Sequence, residues 1–276
     1  MPEIKNHTAL DQHVIKTLLY YEVFHYPLKA GEVFRFLRTN GVTEEDTRRS
    51  LESLAEQGRI YKFGEFYSLQ QSESIIVRRL KGNQEAKRCL PKAMRKARFI
   101  ARFPFVRAVM ASGSLSKDYM DEKSDLDFFI VTAPARLWIS RTLLVLYKRL
   151  FLNNSHKHFC VNYFVDADHL EIEEKNLFTA TELATVIPLY GPEYYHQLIQ
   201  KNKSWLMEYF PNYKPRLTEE QHQQKNRLKH MTEKLIDMTT GNFFNTLFMR
   251  LTLRRWKRLY EGKYSPDDFK IAFKTK

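Results

Sequence analysis

Residues 109–131 read VMASGSLSKDYMDEKSDLDFFIV, and this stretch constrains the chain more than any other. The apolar run 106–111 predicts a short buried strand ending in Ser112-Gly113-Ser114. A polar segment with one helical turn follows, then Ser124-Asp125-Leu126-Asp127, and then the apolar run 128–131, a second buried strand. Gly113 has no Cβ, so the backbone there can come close to a bulky anion. Ser114 adds a hydroxyl and an amide donor at the start of a turn or helix, where N–H groups point toward negative charge. Asp125 and Asp127 are two residues apart on a predicted strand, so both carboxylates project from one face. Side by side they repel and need a cation between them; phosphate oxygens with Mg²⁺ are the natural occupants. A strand–turn–strand unit with a merely solvated acidic loop requires neither the Gly-Ser nor the paired aspartates.

Gly113-Ser114, a ten-residue spacer and Asp125-x-Asp127 between two buried strands resemble the nucleotidyltransferase fold of the polymerase-β superfamily. The resemblance covers about the middle third of the chain. It implies an α+β fold with a nucleotidyltransferase-like mixed sheet core, and Mg²⁺- or Mn²⁺-dependent transfer of a nucleoside monophosphate from an NTP to a hydroxyl-bearing acceptor. Asp125 and Asp127 would hold the metal and carry catalysis, Gly113 and Ser114 would position the phosphates, and Lys117, one turn further, would be a phosphate contact. In that family a third strand carries a third carboxylate. The matching catalytic position here is Asn162, between Val161 and Tyr163 on the predicted strand 158–165. An amide offers a metal one neutral oxygen but neither offsets its charge nor accepts a proton. Asp166 lies roughly 13 Å further along at about 3.3 Å per residue and would substitute only if the strand bulges. Two other functions stand beside transfer: a nucleotide-binding module that has lost its chemistry with the third acid, and a DNA-binding regulator.

The regulator rests on the first 72 residues. Helices are predicted over 11–24, 30–37 and 43–57, the last with Thr43 as N-cap and Asp46 three residues on. A hairpin over 59–69, turning at Gly64-Glu65, completes an order that resembles a winged helix. That fold usually binds DNA through its third helix. Here the third helix carries Glu44, Glu45, Asp46, Glu52 and Glu56 against Arg48, Arg49 and, just past its end, Arg59, and phosphate contacts dominate DNA affinity, so a docking or structural role is expected rather than DNA binding.

The formal charge of +13 is unevenly placed. Residues 1–75 carry a net −2, residues 76–110 a net +10, residues 111–170 balance, and residues 171–276 carry +5, so the basic character flanks the motif rather than marking the first domain. The segment 73–103 reads as a basic helix, broken near Gly82 and Pro91, with Arg95, Lys96, Arg98 and Arg102 either solvated or facing an anionic substrate.

Residues 136–152 predict a buried helix, too short and too charged to cross a bilayer. Further helices are expected over 177–189, 193–210, 219–239 and 243–260, giving domains 1–72, 73–170 and 171–276, the last a helical domain. The apolar stripe of the final helix reads as core in preference to a membrane-surface helix. His156, His158 and Cys160 alternate on one strand face but lack a fourth ligand at zinc spacing. The pattern G-x-x-x-x-G-K-[ST] is missing, which excludes a P-loop NTPase. Two cysteines, Cys89 and Cys160, make no disulfide framework, and residues 1–13 lack the apolar core of a signal peptide; a cytoplasmic setting is expected.

Overall fold

The computed structural model describes residues 9–153, 159–218, 227–239, 241–260 and 273–274. The fold is mixed α and β, in two compact units: Met1–Gln84 with Lys203–Pro215, and Glu85–Asn202 with Arg216–Lys276.

The first unit contains α1 (Ala9–Glu22), β1 (Leu28–Lys29), α2 (Ala30–Arg35), α3 (Glu44–Glu56), β2 (Tyr61–Phe63) and β3 (Phe66–Ser68). Its sheet has the order β1-β3-β2, all antiparallel. The short strand β1 was not foreseen. Val14, Leu18, Val33, Leu37, Leu51 and Leu54 form its buried centre. Thr43 caps α3 as expected: its hydroxyl takes the Asp46 N–H at 3.1 Å while Asp46 takes the Thr43 N–H at 2.9 Å. Residues 203–215 return to this unit, where the Asn212 amide donates to the Phe34 and Thr39 carbonyls and Phe210 packs edge-on against Phe36.

The helix α4 (Glu73–Ile100) runs unbroken through Gly82 and holds Pro91 inside it, contrary to the expected break. A glycine costs a helix only about 1 kcal/mol, and burial outweighs it: Ala86, Ala93, Ala97 and Ile100 are almost fully enclosed. Arg95, Arg98 and Arg102 are exposed, which favours their solvated reading. Arg79 is not solvated. It is buried in the first unit, bound to Glu32 at 2.7 Å and to the Pro27 carbonyl, with Tyr26 stacked on its guanidinium.

The second unit is built on a five-stranded mixed sheet. In chain order it comprises β4 (Val106–Ser112), the single turn α5 (Gly113–Ser116), β5 (Asp127–Thr132), α6 (Leu137–Phe151), β6 (Cys160–Asp166), α7 (Leu177–Thr185), β7 (Ile187–Tyr190), α8 (Pro192–Tyr209) as far as Asn202, α9 (Arg227–Thr239), α10 (Gly241–Tyr260) and β8 (Phe273–Lys274). The strand order is β7-β4-β5-β6-β8; β4 runs antiparallel to both neighbours, and β5, β6 and β8 run parallel. Phe128, Ile130 and Phe164 point into one core with Trp138 and Leu144 of α6. Truncating either phenylalanine to alanine would cost about 3–5 kcal/mol.

Three expectations change here. The helix expected over 177–189 stops at Thr185, and Ile187–Tyr190 joins the sheet edge beside β4. Pro188 explains this, because it disfavours helix in the residue before it and suits an edge strand, where a missing N–H costs least. The strand β5 begins at Asp127, so Asp125 stands in the preceding loop rather than on the strand. The third strand starts at Cys160; His156 and His158 lie outside the described residues, as does the first part of the helix expected over 219–239.

The helix α9 is amphipathic in the unusual sense. Beside Ile236, which packs on Phe105, Ala133 and Ile139, charged residues make its contacts: Lys229 donates to the Ala101 and Val106 carbonyls, Glu233 binds Arg107 and Asp237 binds Arg136. Leu228, Met231, Leu235 and Met238 face solvent, each between 65% and 75% exposed. From α10, Asn245 takes the Trp138 N–H at 3.0 Å and so caps α6.

Candidate functional site

The site lies where β4 ends and β5 and β6 begin. Ser112 is paired with Asp127, and Asp127 with Cys160, so three strand ends meet at one edge of the sheet. Gly113 follows at φ +62°, a left-handed backbone that favours glycine. A Cβ added there would run into the Asp127 carboxylate. Glycine is therefore required twice over, for the turn and for the close approach of an acid.

The turn beyond it is pinned from inside. The Ser116 hydroxyl donates to the Gly113 carbonyl at 2.7 Å and lies 3.1 Å from the Thr185 hydroxyl of α7. The Arg216 guanidinium donates to the carbonyls of Ser116 and Thr185, tying α5 to the end of α7. The loop that leads to Asp125 is also ordered. Asp121 accepts from the Ser124 hydroxyl at 2.7 Å, the Lys123 N–H at 3.0 Å and the Tyr119 hydroxyl at 3.1 Å. These bonds, the Ser124 hydroxyl first, hold the Asp121 carboxyl below its ordinary range.

Charge at the site is crowded. Burial pushes the Asp127 carboxyl up; the Cys160 thiol donates to it and lowers it, Asp125 and Glu182 raise it, and Lys117 lowers it. The Cys160 thiol is pushed up to about 12, chiefly by burial and then by the negative charge of Asp127. Lys148 of α6 is only 6% exposed. Burial pulls its ammonium down, while Cys160 and Asp125 act in the opposite sense.

Glu182 and Cys160, like Lys148, Thr185 and Arg216, have roles at this site that sequence reasoning missed. Glu182 reaches in from α7: one carboxylate oxygen takes the Gly113 N–H at 3.3 Å and the other pairs with Lys117. Lys117 also donates to the Gly113 carbonyl at 3.2 Å. An acid some 65 residues beyond Lys117, on a helix of ordinary composition, carries no local signal. Cys160 stands out in the sequence as part of a zinc-like alternation and as one of two cysteines, neither of which points to Asp127.

The expected third-strand position also looks different in register. Phe128 pairs with Val161 and Phe129 with Tyr163, so Asn162 is an extra residue in a bulge. The residue across from Asp127 is Cys160. Asp166 stands at the far end of the strand, opposite Thr132, roughly 16 Å away at about 3.3 Å per residue. Its carboxylate is used by its own turn, accepting from the Asp168 N–H and contacting His169 at 2.7 Å. The bulge does not bring Asp166 to the site.

Among the described residues no group of three or more His, Cys, Asp or Glu side chains is gathered to hold a metal ion. The donor set at the strand ends is nonetheless suited to a hard divalent cation that shares its ligands with a phosphate. Asp125 and Asp127 act on each other, and hard oxygen donors with water and phosphate completing the shell are the usual Mg²⁺ environment. A thiol in place of a third carboxylate is a soft donor and adds little for Mg²⁺.

No protein family, no curated protein and no solved structure matches the chain. Among the described residues no helix is long and apolar enough to cross a membrane.

Proposed function

We propose that the chain is a nucleotidyltransferase-fold protein that binds a nucleoside triphosphate with Mg²⁺ or Mn²⁺ and transfers the nucleoside monophosphate to a hydroxyl-bearing acceptor. The observation that carries this reading is the left-handed Gly113 at the end of β4, packed so tightly on Asp127 that no side chain fits between them. That geometry sets a backbone amide, taken up by Glu182, beside a carboxylate pair, which suits a phosphate bridged to a cation. Asp125 and Asp127 would hold the ion, and when bound it would neutralise charge on the transferring phosphoryl group. Gly113 and Ser114 supply amides, and Ser114 a hydroxyl, for the terminal phosphates. Lys117 supplies a positive charge within 3.2 Å of the Gly113 carbonyl.

A second reading, a nucleotide-binding module with weak or no transfer, is favoured by one observation: the position across from Asp127 carries the Cys160 thiol, not a carboxylate. A thiol held at about 12 does not accept the acceptor's proton at neutral pH.

The first unit fits a winged-helix module that docks to protein rather than DNA. On α3, Arg48 is engaged with Glu44 and Glu45, and Arg49 with Asp46, which takes those cations away from phosphate. Both cysteines are free, as a reduced cytoplasmic setting would leave them.

The deciding experiment is calorimetry with ATP and the other NTPs, with and without Mg²⁺. Binding should weaken sharply on chelation, and Asp125→Asn with Asp127→Asn should abolish the metal-dependent part in a folded protein. Unchanged affinity in the double variant rejects the site. Incubating wild type with labelled NTP, Mg²⁺ and cell extract then separates transfer from binding alone.

A further inference from the structure

We infer that Glu182 is an internal stand-in for phosphate, which a ligand must displace and which thereby restricts the site to polyphosphates; the inference rests on the phosphate-site reading above. Two of the donors assigned to the phosphates, the Gly113 amide and the Lys117 ammonium, are both engaged by this one carboxylate. A carboxylate that bridges a backbone N–H and a lysine makes the contacts a phosphoryl oxygen pair would make, with a smaller charge.

The position of Glu182 is costly as well as favourable. Its charge acts on Asp127, on which Asp125 already acts, so three acids crowd the neighbourhood of Lys117, with Lys148 close to Asp125. Only the side chain has to move for the cradle to open. The backbone of α7 is tied down by Thr185 at Ser116 and by Arg216, while the Glu182 side chain is 26% exposed and has a path to solvent.

Displacement sets a threshold. A phosphomonoester such as AMP brings at most about two negative charges in exchange for the one it displaces and leaves Glu182 unpaired, so it gains little. A triphosphate brings several charges and oxygens enough for both donors, with a divalent cation to balance the acids. Glu182 therefore discriminates by charge on the phosphoryl group, not by the base or sugar, and is a specificity-determining residue of the site.

The test is calorimetry of ATP, AMP and inorganic triphosphate, each with Mg²⁺, on wild type, Glu182→Gln and Glu182→Ala. The glutamine keeps length and an acceptor for the Gly113 N–H but drops the charge that binds Lys117. Both variants should bind AMP and triphosphate at least about tenfold tighter, the size of change expected when a competing charge-assisted contact is lost. AMP should gain more than ATP, so that the preference for ATP narrows. Binding by a variant where wild type shows none also supports the inference. If wild type binds ATP and both folded variants bind it equally or more weakly, Glu182 is a structural or ligand-positioning residue and the inference fails alone. If neither wild type nor either variant binds ATP or inorganic triphosphate, the phosphate-site reading fails and takes the inference with it. Urea melts of all three proteins show whether a variant has folded; should Glu182→Gln unfold, Glu182→Ala decides.

Discussion

Cys160 lies directly across the sheet from Asp127 and donates its thiol to that carboxylate. Burial and this negative neighbour push the thiol up to about 12, far from the range in which cysteines react. In the native protein Cys160 should therefore resist iodoacetamide at pH 8, and Asp127→Asn should speed its alkylation severalfold. Mass spectrometry of the peptides checks this, with urea-unfolded protein as the control that both cysteines can react. Alkylation of native Cys160 at the unfolded rate would contradict the arrangement.

Gly113→Ala should destabilise the fold. A left-handed alanine costs roughly 1–2 kcal/mol, and its Cβ also strikes the Asp127 carboxylate. In urea unfolding, Gly113→Ala with Asp127→Ala should recover the part owed to the clash but not the part owed to the backbone. Simple additivity of the two single changes would mean that the carboxylate swings aside at no cost.

These two sites show what the sequence made legible. Both strands around the motif follow from their apolar runs, and Gly113 and Asp127 meet because a short antiparallel pair brings strand end to strand start. Asp125 was placed on the strand because the alternation is plausible from residue 125 onward; the Asp121–Ser124 turn instead holds it in the loop. Glu182 could not be read at all, since its role depends on α7 packing beside α5. Pro188 did carry a signal for β7, but the apolar residues on either side of it read equally well as helix.

Arg107→Met should loosen α9. Arg107 binds both oxygens of Glu233, at 2.8 and 3.1 Å, and Glu233 also takes the Phe105 N–H at 2.6 Å. Losing one partner of this mostly enclosed pair should cost roughly 1–3 kcal/mol. Burial pushes the Glu233 carboxyl up, but Arg107, the Phe105 amide and Lys229 together bring it below its ordinary value of 4.5. Its contribution is therefore present above 4.5 and disappears as the pH falls through the lowered value. Acid melts of wild type should converge on those of Arg107→Met; parallel curves down to the acid limit would refute this.

Lys229 gives the opposite dependence. Burial pulls its ammonium down to about 8 from 10.5, with Glu233 raising it and Arg107 lowering it. Between those values the unfolded chain holds the proton and the folded chain has released it, so this group's contribution to stability grows as pH rises through that window. The melting temperature of wild type relative to Lys229→Met should climb by a few degrees from pH 7 to pH 10. A difference that stays flat or falls would show that Lys229 keeps its proton in place.

The outward stripe of α9 should be replaceable. Met231→Gln with Leu235→Gln should leave the unfolding free energy in urea within about 0.5 kcal/mol of wild type, because both residues lie outside the core. The same pair of changes should lower retention on a hydrophobic column. A large loss of stability would mean that the stripe is covered in solution.

The extra residue in β6 acts on the strand as a phase slip acts on a periodic signal. Ahead of it, Cys160 answers Asp127; behind it, Tyr163 stacks on Phe129 at 4.7 Å and Phe164 enters the core, a beat later than strict alternation allows. A comparison that lays this strand letter by letter against an unbulged one will match Asn162 to a neighbour of its true counterpart. Deleting Asn162 would restore the beat and still leave Cys160 opposite Asp127 and Phe164 opposite Ile130, because the pairs on the two sides of the bulge would then run on without a gap. The position of a third acid in such a strand is a property of the sheet's register, and a single unpaired residue is enough to move it.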